Sequence, residues 1–95
     1  MNIHLGEAFT LMRLVLAPLA SADLDEIEIY SVQTWGERQS AAYLADLFDA
    51  FDLIVEKPDM GALPVREHVV YYRPRGGVCE ILRVLHRRRH VDVER

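Results

Sequence analysis

The residues best suited to chemistry in this sequence are arginines and one histidine in its last third. Arg73, Arg83 and His86 lie on two β-rich runs, and Arg87, Arg88, Arg89 and His90 follow directly. Guanidinium groups pair bidentately with carboxylates or phosphates. An imidazole moves protons near neutral pH. On a regular strand, residues three apart point to opposite faces. Arg83 and His86 therefore share no site unless the strand ends before His86. Arg83 shares its expected face with Ile81 and Leu85. It is expected to be part-buried and paired, either with a helix carboxylate or with a partner. His86 is read first as a hydrogen-bonding structural residue and second as a proton-transfer group. The arginine run is either a solvated end or a contact surface.

Other chemistry is not signalled. His4, His68, His86 and His90 do not make a metal-ligand spacing. Gly76-Gly77 is a turn rather than a phosphate-cradling loop. No nucleophile has a neighbouring base. Cys79 is the single cysteine, so no intramolecular disulfide forms. That fits a reducing cytoplasm, and Cys79 is expected to be a small buried hydrophobe. No cofactor or metal is expected.

Ninety-five residues suffice for one domain, and a hydrophobic content of 51% supports a packed core. The net charge of −4 hides an asymmetry. Residues 1–65 carry three basic and eleven acidic side chains, a net of −8, whereas residues 66–95 carry eight arginines and four acids, a net of +4. The last third is therefore a basic patch on an acidic protein. It either pairs with the protein's own acidic helices or meets a partner. The longest apolar run, Leu14 to Ala20, is far below the ~20 residues of a membrane span. Met1 to Leu16 carries Glu7, has no basic start and runs into a strand, so it does not read as a signal peptide. The cytoplasm is the expected location, without membrane association.

These residues need elements to position them. Residues 1–11 read as an N-terminal extension, because the recognisable pattern begins at Met12, itself a candidate start. A single domain then covers 12–95. Met12 to Ala17 is a short strand, stopped by Pro18. Ser21 reads as a helix N-cap, with Asp23, Asp25 and Glu26 in the first turn. Leu24, Ile27, Ser31 and Trp35 predict an amphipathic helix over about 22–35, with Trp35 in the core. Gly36 ends it. A second helix over 37–56 presents Tyr43, Leu44, Leu47, Phe48, Phe51, Ile54 and Val55 as one stripe. So short a link folds the two helices back as a hairpin. Pro58 and Gly61 close the second helix.

From Arg66 the period changes. The runs from His68 and from Val78 to His86 predict a β-hairpin, with a loop of about four residues at Pro74, Arg75, Gly76 and Gly77. Alternation sets Val78, Leu82 and Val84 on one face and Cys79, Ile81, Arg83 and Leu85 on the other. Both faces are partly apolar, which suits a central strand. Adjacent Tyr71 and Tyr72 face opposite ways, one to the core and one to a surface. The polar tail from Arg87 to Arg95 is expected to fray. The fold class is α+β: an N-terminal strand, then an antiparallel two-helix hairpin packed on a mostly antiparallel sheet of three to four strands.

Three segments in this order resemble the ParE toxins of the ParE/RelE superfamily. The first is "LAPLASADLDEIEIYSVQTWG", with Ala22-Asp23-Leu24-Asp25-Glu26-Ile27, Tyr30 and Trp35-Gly36 at the family's helix-start and W-G signals. The second is "AAYLADLFDAFDLIVEKPDMG", which resembles the second helix and its P-x-x-G exit. The third is "HVVYYRPRGGVCEILRVLHRRR", which resembles the hairpin and its I-L-R-V-L-H strand. There is one departure. Relatives place a further strand before "HVVYYR", and Ala62 to Glu67 is read as too short for it. The expectation is a lost edge strand or a shortened form. The chain also stops where relatives often continue. Both readings count against full toxicity.

The resemblance implies the toxin of a type II toxin–antitoxin system, a non-enzymatic poison of DNA gyrase neutralised by a ParD-like antitoxin. Contacts to target or antitoxin would fall on Tyr72, Arg73, Arg83, Arg87, Arg88 and Arg89. An acidic antitoxin tail would lie on the arginine-rich sheet edge and in the groove beside the helix hairpin. A heterotetramer or larger even-numbered complex is implied, with operator DNA met only through the antitoxin. RelE-like members instead cut mRNA on the ribosome, and that alternative would use Arg73, Arg83 and His86 as the catalytic set. A third reading is a decayed or regulatory member that only binds antitoxin.

Overall fold

A proline and a glycine punctuate the helical half of the molecule. The computed structural model describes residues 13–59 and 61–89. The expectations for residues 1–11, Met12, His90 and the end of the tail lie outside these. Strand β1 spans Arg13–Leu16. Helix α1 spans Pro18–Trp35 and starts earlier than Ser21. Pro18 both stops the strand and opens the helix. It sits in the first turn, where its missing N–H costs nothing and its fixed φ suits the helix. Ala17 is the extended N-cap residue, and Ser21 N–H donates to Ala17 O at 3.0 Å. Asp23, Asp25 and Glu26 therefore lie beyond the first turn, which contains no acidic residue.

Gly36 joins α1 to helix α2, which spans Glu37–Glu56 as its periodicity predicts. Gly36 takes φ 94° and ψ 167°, a conformation essentially reserved for glycine. It closes α1 through its N–H to Val32 O, and its own carbonyl accepts from Ser40 N–H. The helices then run back along each other. Buried Ser31 and Ser40 meet between them at 2.6 Å. Ser31 Oγ donates to Glu28 O, so Ser40 supplies the proton of that contact.

The sheet has the order β1-β4-β3-β2, with β2 at Ala62–Val65, β3 at His68–Arg75 and β4 at Val78–His86. β4 is central, parallel to β1 and antiparallel to β3. The further strand expected to be missing is present. β2 pairs with β3 over four positions, from Ala62↔Tyr71 to Val65↔His68. A two-residue loop, Arg66-Glu67, suffices to reverse the chain. Its first residue, Arg66, takes φ 52°, the left-handed region that asparagine or glycine usually supplies. Arg66 is held there by an ion pair with Asp46 and by its place 5.1 Å over the Tyr43 ring. The β3–β4 loop is also two residues rather than four. Arg75 pairs with Val78, and Gly76 takes φ 63°.

The helices cover one face of the sheet. The core beneath them includes Leu24, Ile27, Tyr43, Leu47, Phe51, Ile54, Val70, Tyr72, Cys79, Ile81 and Val84. Cys79, Ile81 and Val84 cannot share a face of a regular strand. A β-bulge reconciles them: Tyr72 pairs with Ile81 and Tyr71 with Arg83, leaving Leu82 without a partner of its own. One extra residue reverses the alternation. The expected division of β4 into two faces therefore holds only as far as Ile81.

Gly36 gives a direct test of the helix link. A β-carbon there meets nothing within 4 Å, so any cost is backbone strain alone. Gly36→Ala is expected to lower stability by about 1–3 kcal/mol, read as a shift in the urea midpoint. An unchanged midpoint would contradict the strained-link assignment.

Candidate functional site

The bulge determines what faces the helices at the end of β4. Asp23 of α1 is 8% exposed and points at the sheet. Its Oδ2 accepts from Arg83 Nε at 2.8 Å and from Val84 N–H at 2.9 Å, and its Oδ1 accepts from Arg83 Nη2 at 2.9 Å. This is a bidentate fork plus a backbone bond. The Asp23 carboxylate raises the Arg83 pKa above its ordinary value. Beyond this clamp His86 pairs with His68 across β3–β4, their ring centres 5.4 Å apart.

The two imidazoles begin a row of five rings. His68 meets Tyr43 at 5.6 Å, Tyr43 meets Trp35 at 5.7 Å, and Trp35 meets Tyr30 at 6.0 Å. All five line a cavity of about 390 Å³ between α1, α2 and the sheet end. Ile27, Val84 and Leu85 add apolar lining, and Glu26, Glu67 and Arg89 add charge. Tyr43 and the imidazoles are hydrogen-bonded. Tyr43 Oη accepts from Glu67 N–H at 3.0 Å and meets His68 Nδ1 at 2.7 Å. The phenol proton has no other acceptor among the described residues, so it goes to His68 Nδ1, leaving the His68 proton on Nε2. His86 Nδ1 accepts from Arg88 N–H at 3.2 Å. Burial, with His86 nearby, lowers the His68 pKa to about 4, so His68 is neutral at pH 7. Burial also raises the pKa of Tyr43.

The residues singled out from the sequence are not all brought together. Arg73 lies toward the other end of the hairpin, where it and Arg75 meet Glu80 at 3.1 and 3.9 Å. Arg83 is committed to Asp23. Tyr72, expected at a contact surface, is 3% exposed and belongs to the core, because its β3 face is the helix-covered one. Burial raises its pKa too. Cys79 is fully buried, and burial raises its thiol pKa. Arg87, Arg88 and Arg89 are exposed beside the cavity, with Arg87 3.5 Å from Glu67. Thus Arg73, Arg83 and His86 form no common site. Trp35, expected in the core, is 43% exposed and forms a cavity wall. Sequence reasoning missed the grouping of Tyr30, Tyr43 and His68. The one available signal was a tryptophan placed directly before the helix-ending glycine.

A family model described as the ParE toxin of type II toxin–antitoxin system, parDE, matches residues 14–91. The chain belongs to the ParE toxin family. Toxin ParE1 of Caulobacter vibrioides is 40% identical over 82 residues, covering 75% of this chain and 84% of that protein. Toxin ParE1 of Mycobacterium tuberculosis is 34% identical over 92 residues, covering 84% and 94%. A chain of the chromosomal ParDE TA system from P. aeruginosa superposes with a TM-score of 0.70 at 19% identity, over 81% of this chain and 97% of that one. That likeness concerns the fold alone. No helix among the described residues is long and apolar enough to cross a membrane.

His68 gives this ParE-family chain a defined acid response. Unfolded, His68 protonates at its ordinary value of 6.5, and folded it resists to about 4. Between those values the unfolded chain binds more protons, so stability falls as pH drops through that window. His86 opposes protonation of His68, whereas Glu67 and Asp23 favour it. His68→Gln is expected to flatten the dependence. Urea midpoints at neutral pH and mid-window test this: an equal loss in the variant would assign the response elsewhere.

Proposed function

We propose that this toxin acts by binding DNA gyrase and holding it on cleaved DNA, without cutting nucleic acid itself. A nuclease reading needs cations and a proton-transfer group converging on one phosphate. The observation that carries the non-enzymatic reading is the separation of Arg73, Arg83 and His86. Two of the three are paired with carboxylates of the chain itself, Arg73 with Glu80 and Arg83 with Asp23. The third is paired with His68.

The same reading assigns a ParD-like antitoxin as partner. An acidic, partly helical tail that folds on binding suits the exposed arginines at 87–89, and apolar side chains suit the ring-lined cavity beside the helix hairpin. The complex is an even-numbered hetero-oligomer in the cytoplasm, and operator DNA is met through the antitoxin.

A supercoiling assay with purified gyrase tests the target. Added toxin is expected to accumulate cleaved DNA, and antitoxin to reverse it. No cleaved DNA, together with new cuts in ribosome-bound mRNA, would contradict the gyrase reading and favour the nuclease. Neither effect, from a folded protein that still binds antitoxin, would favour a regulatory homologue. Reversing Arg87, Arg88 and Arg89 to glutamate is expected to weaken antitoxin binding by about tenfold or more, from the sum of three exposed pairs turned repulsive. Unchanged affinity and toxicity would make the run a solvated end.

A further inference from the structure

Arginines 88 and 89 differ from the other described arginines in the basic third of the chain. Arg66 meets Asp46, Arg73 and Arg75 meet Glu80, Arg83 meets Asp23, and Arg87 meets Glu67. Arg88 and Arg89 meet no carboxylate among the described residues. Both stand at the ring-lined end of the molecule. Arg89 lines the cavity itself, and Arg88 lines the adjoining depression with His86.

We infer that this cavity binds a single unstacked nucleotide, its base against Trp35 and Tyr30 and its phosphate at Arg88, Arg89 and His86. The volume of about 390 Å³ falls among small-molecule sites, which run from roughly 300 to 1,000 Å³. Trp35 and Tyr30 are 43% and 62% exposed, so their rings are accessible to a base. Stacking on such rings needs no hydrogen-bond readout and tolerates any base. Guanidinium groups match phosphate oxygens bidentately. His86 adds an Nε2 donor, because its Nδ1 already accepts from Arg88 N–H.

The carboxylates at the same site shape what can bind. Glu26 and Glu67 line the cavity and can accept from a base's amino group. They also repel a bare anion, so inorganic phosphate alone binds poorly. The chain's net charge of −4 likewise disfavours a long polyanion at a distance. The site therefore selects one nucleotide presented at close range over a duplex. This inference does not depend on the identity of the toxin's target. The site overlaps the face proposed for the antitoxin, so the two ligands would exclude each other.

The chain has one tryptophan, Trp35, and it forms the cavity wall, so intrinsic fluorescence reports occupancy directly. The isolated protein is titrated with AMP, dAMP, adenosine and inorganic phosphate at low salt. Saturable quenching by a mononucleotide, stronger than by adenosine or phosphate, is expected. A preference for AMP would assign the site to RNA-type ligands and one for dAMP to DNA-type ligands, and either supports the inference. Arg88→Ala with Arg89→Ala is expected to weaken binding by about tenfold or more, as for loss of charge-assisted bonds. Arg73→Ala, at the far end of the hairpin, is expected to change nothing. No saturable quenching by either mononucleotide, adenosine binding as tightly as AMP, or full binding by the double variant would each overturn the proposal. The assay contains neither gyrase nor antitoxin, so its failure leaves the gyrase reading standing.

Discussion

The Asp23 carboxylate holds the molecule together at the point where a strand changes face. It is almost wholly buried, and it accepts the two Arg83 bonds and the Val84 N–H. Burying a carboxylate is unfavourable unless its oxygens are satisfied by charge and hydrogen bonds. Here both are supplied from the stretch of β4 just past the Leu82 bulge. The bulge explains why Val84 joins Ile81 in the core and why His86 pairs with His68 at the cavity. A regular β4 would instead direct Arg83 and Leu85 toward the helices. The aspartate thus ties α1 to the sheet, keeps the bulge in register and selects the side chains that form the site.

The clamp divides the hairpin into two unlike ends. Near Arg73 and Arg75, cations are matched by Glu80 on the neighbouring strand. At the opposite end, the ring row from Tyr30 to His86 lines an open cavity, with Arg88 and Arg89 beside it. Tyr43 organises this end. Its hydroxyl accepts a hydrogen bond from a backbone amide and donates one to His68, which fixes the tautomer of a neutral imidazole. The resulting surface presents rings and exposed positive charge. It does not present the separated set of Arg73, Arg83 and His86 as a reaction centre.

Much of this fold was legible in the sequence. The bounds of α2, the hairpin made by Gly36 and the central place of β4 come from apolar spacing and turn chemistry, and the structure has all three. Strand β2 was illegible because its turn is Arg66-Glu67, without the Asn-Gly or Asp-Gly that normally marks a two-residue loop. The early start of α1 was hidden because Pro18 reads equally as a strand stop and a first helical turn. The internal pairing of Arg83 was one of two readings the residues allowed, and the structure has that one. The bulge had no local signal, since it depends on a carboxylate 61 residues from Val84. That one missed residue is why strict alternation separated Val84 from Ile81. Tyr72 and Trp35 exchanged their expected places for tertiary reasons: β3's covered face is Tyr72's, and α1 ends where the cavity opens.

The clamp can be tested most directly by tracking the Val84 amide through native-state hydrogen exchange. With Asp23 intact, Val84 N–H is expected to exchange only as slowly as the core strands do, through global unfolding. In Asp23→Ala its protection should fall by at least about tenfold, because the buried Val84 N–H loses a charged acceptor, a bond contributing about 1.5–3 kcal/mol. A Val84 amide that exchanges freely in the unaltered protein, or that keeps full protection without the carboxylate, would contradict the claim that Asp23 holds the bulge and forms the site.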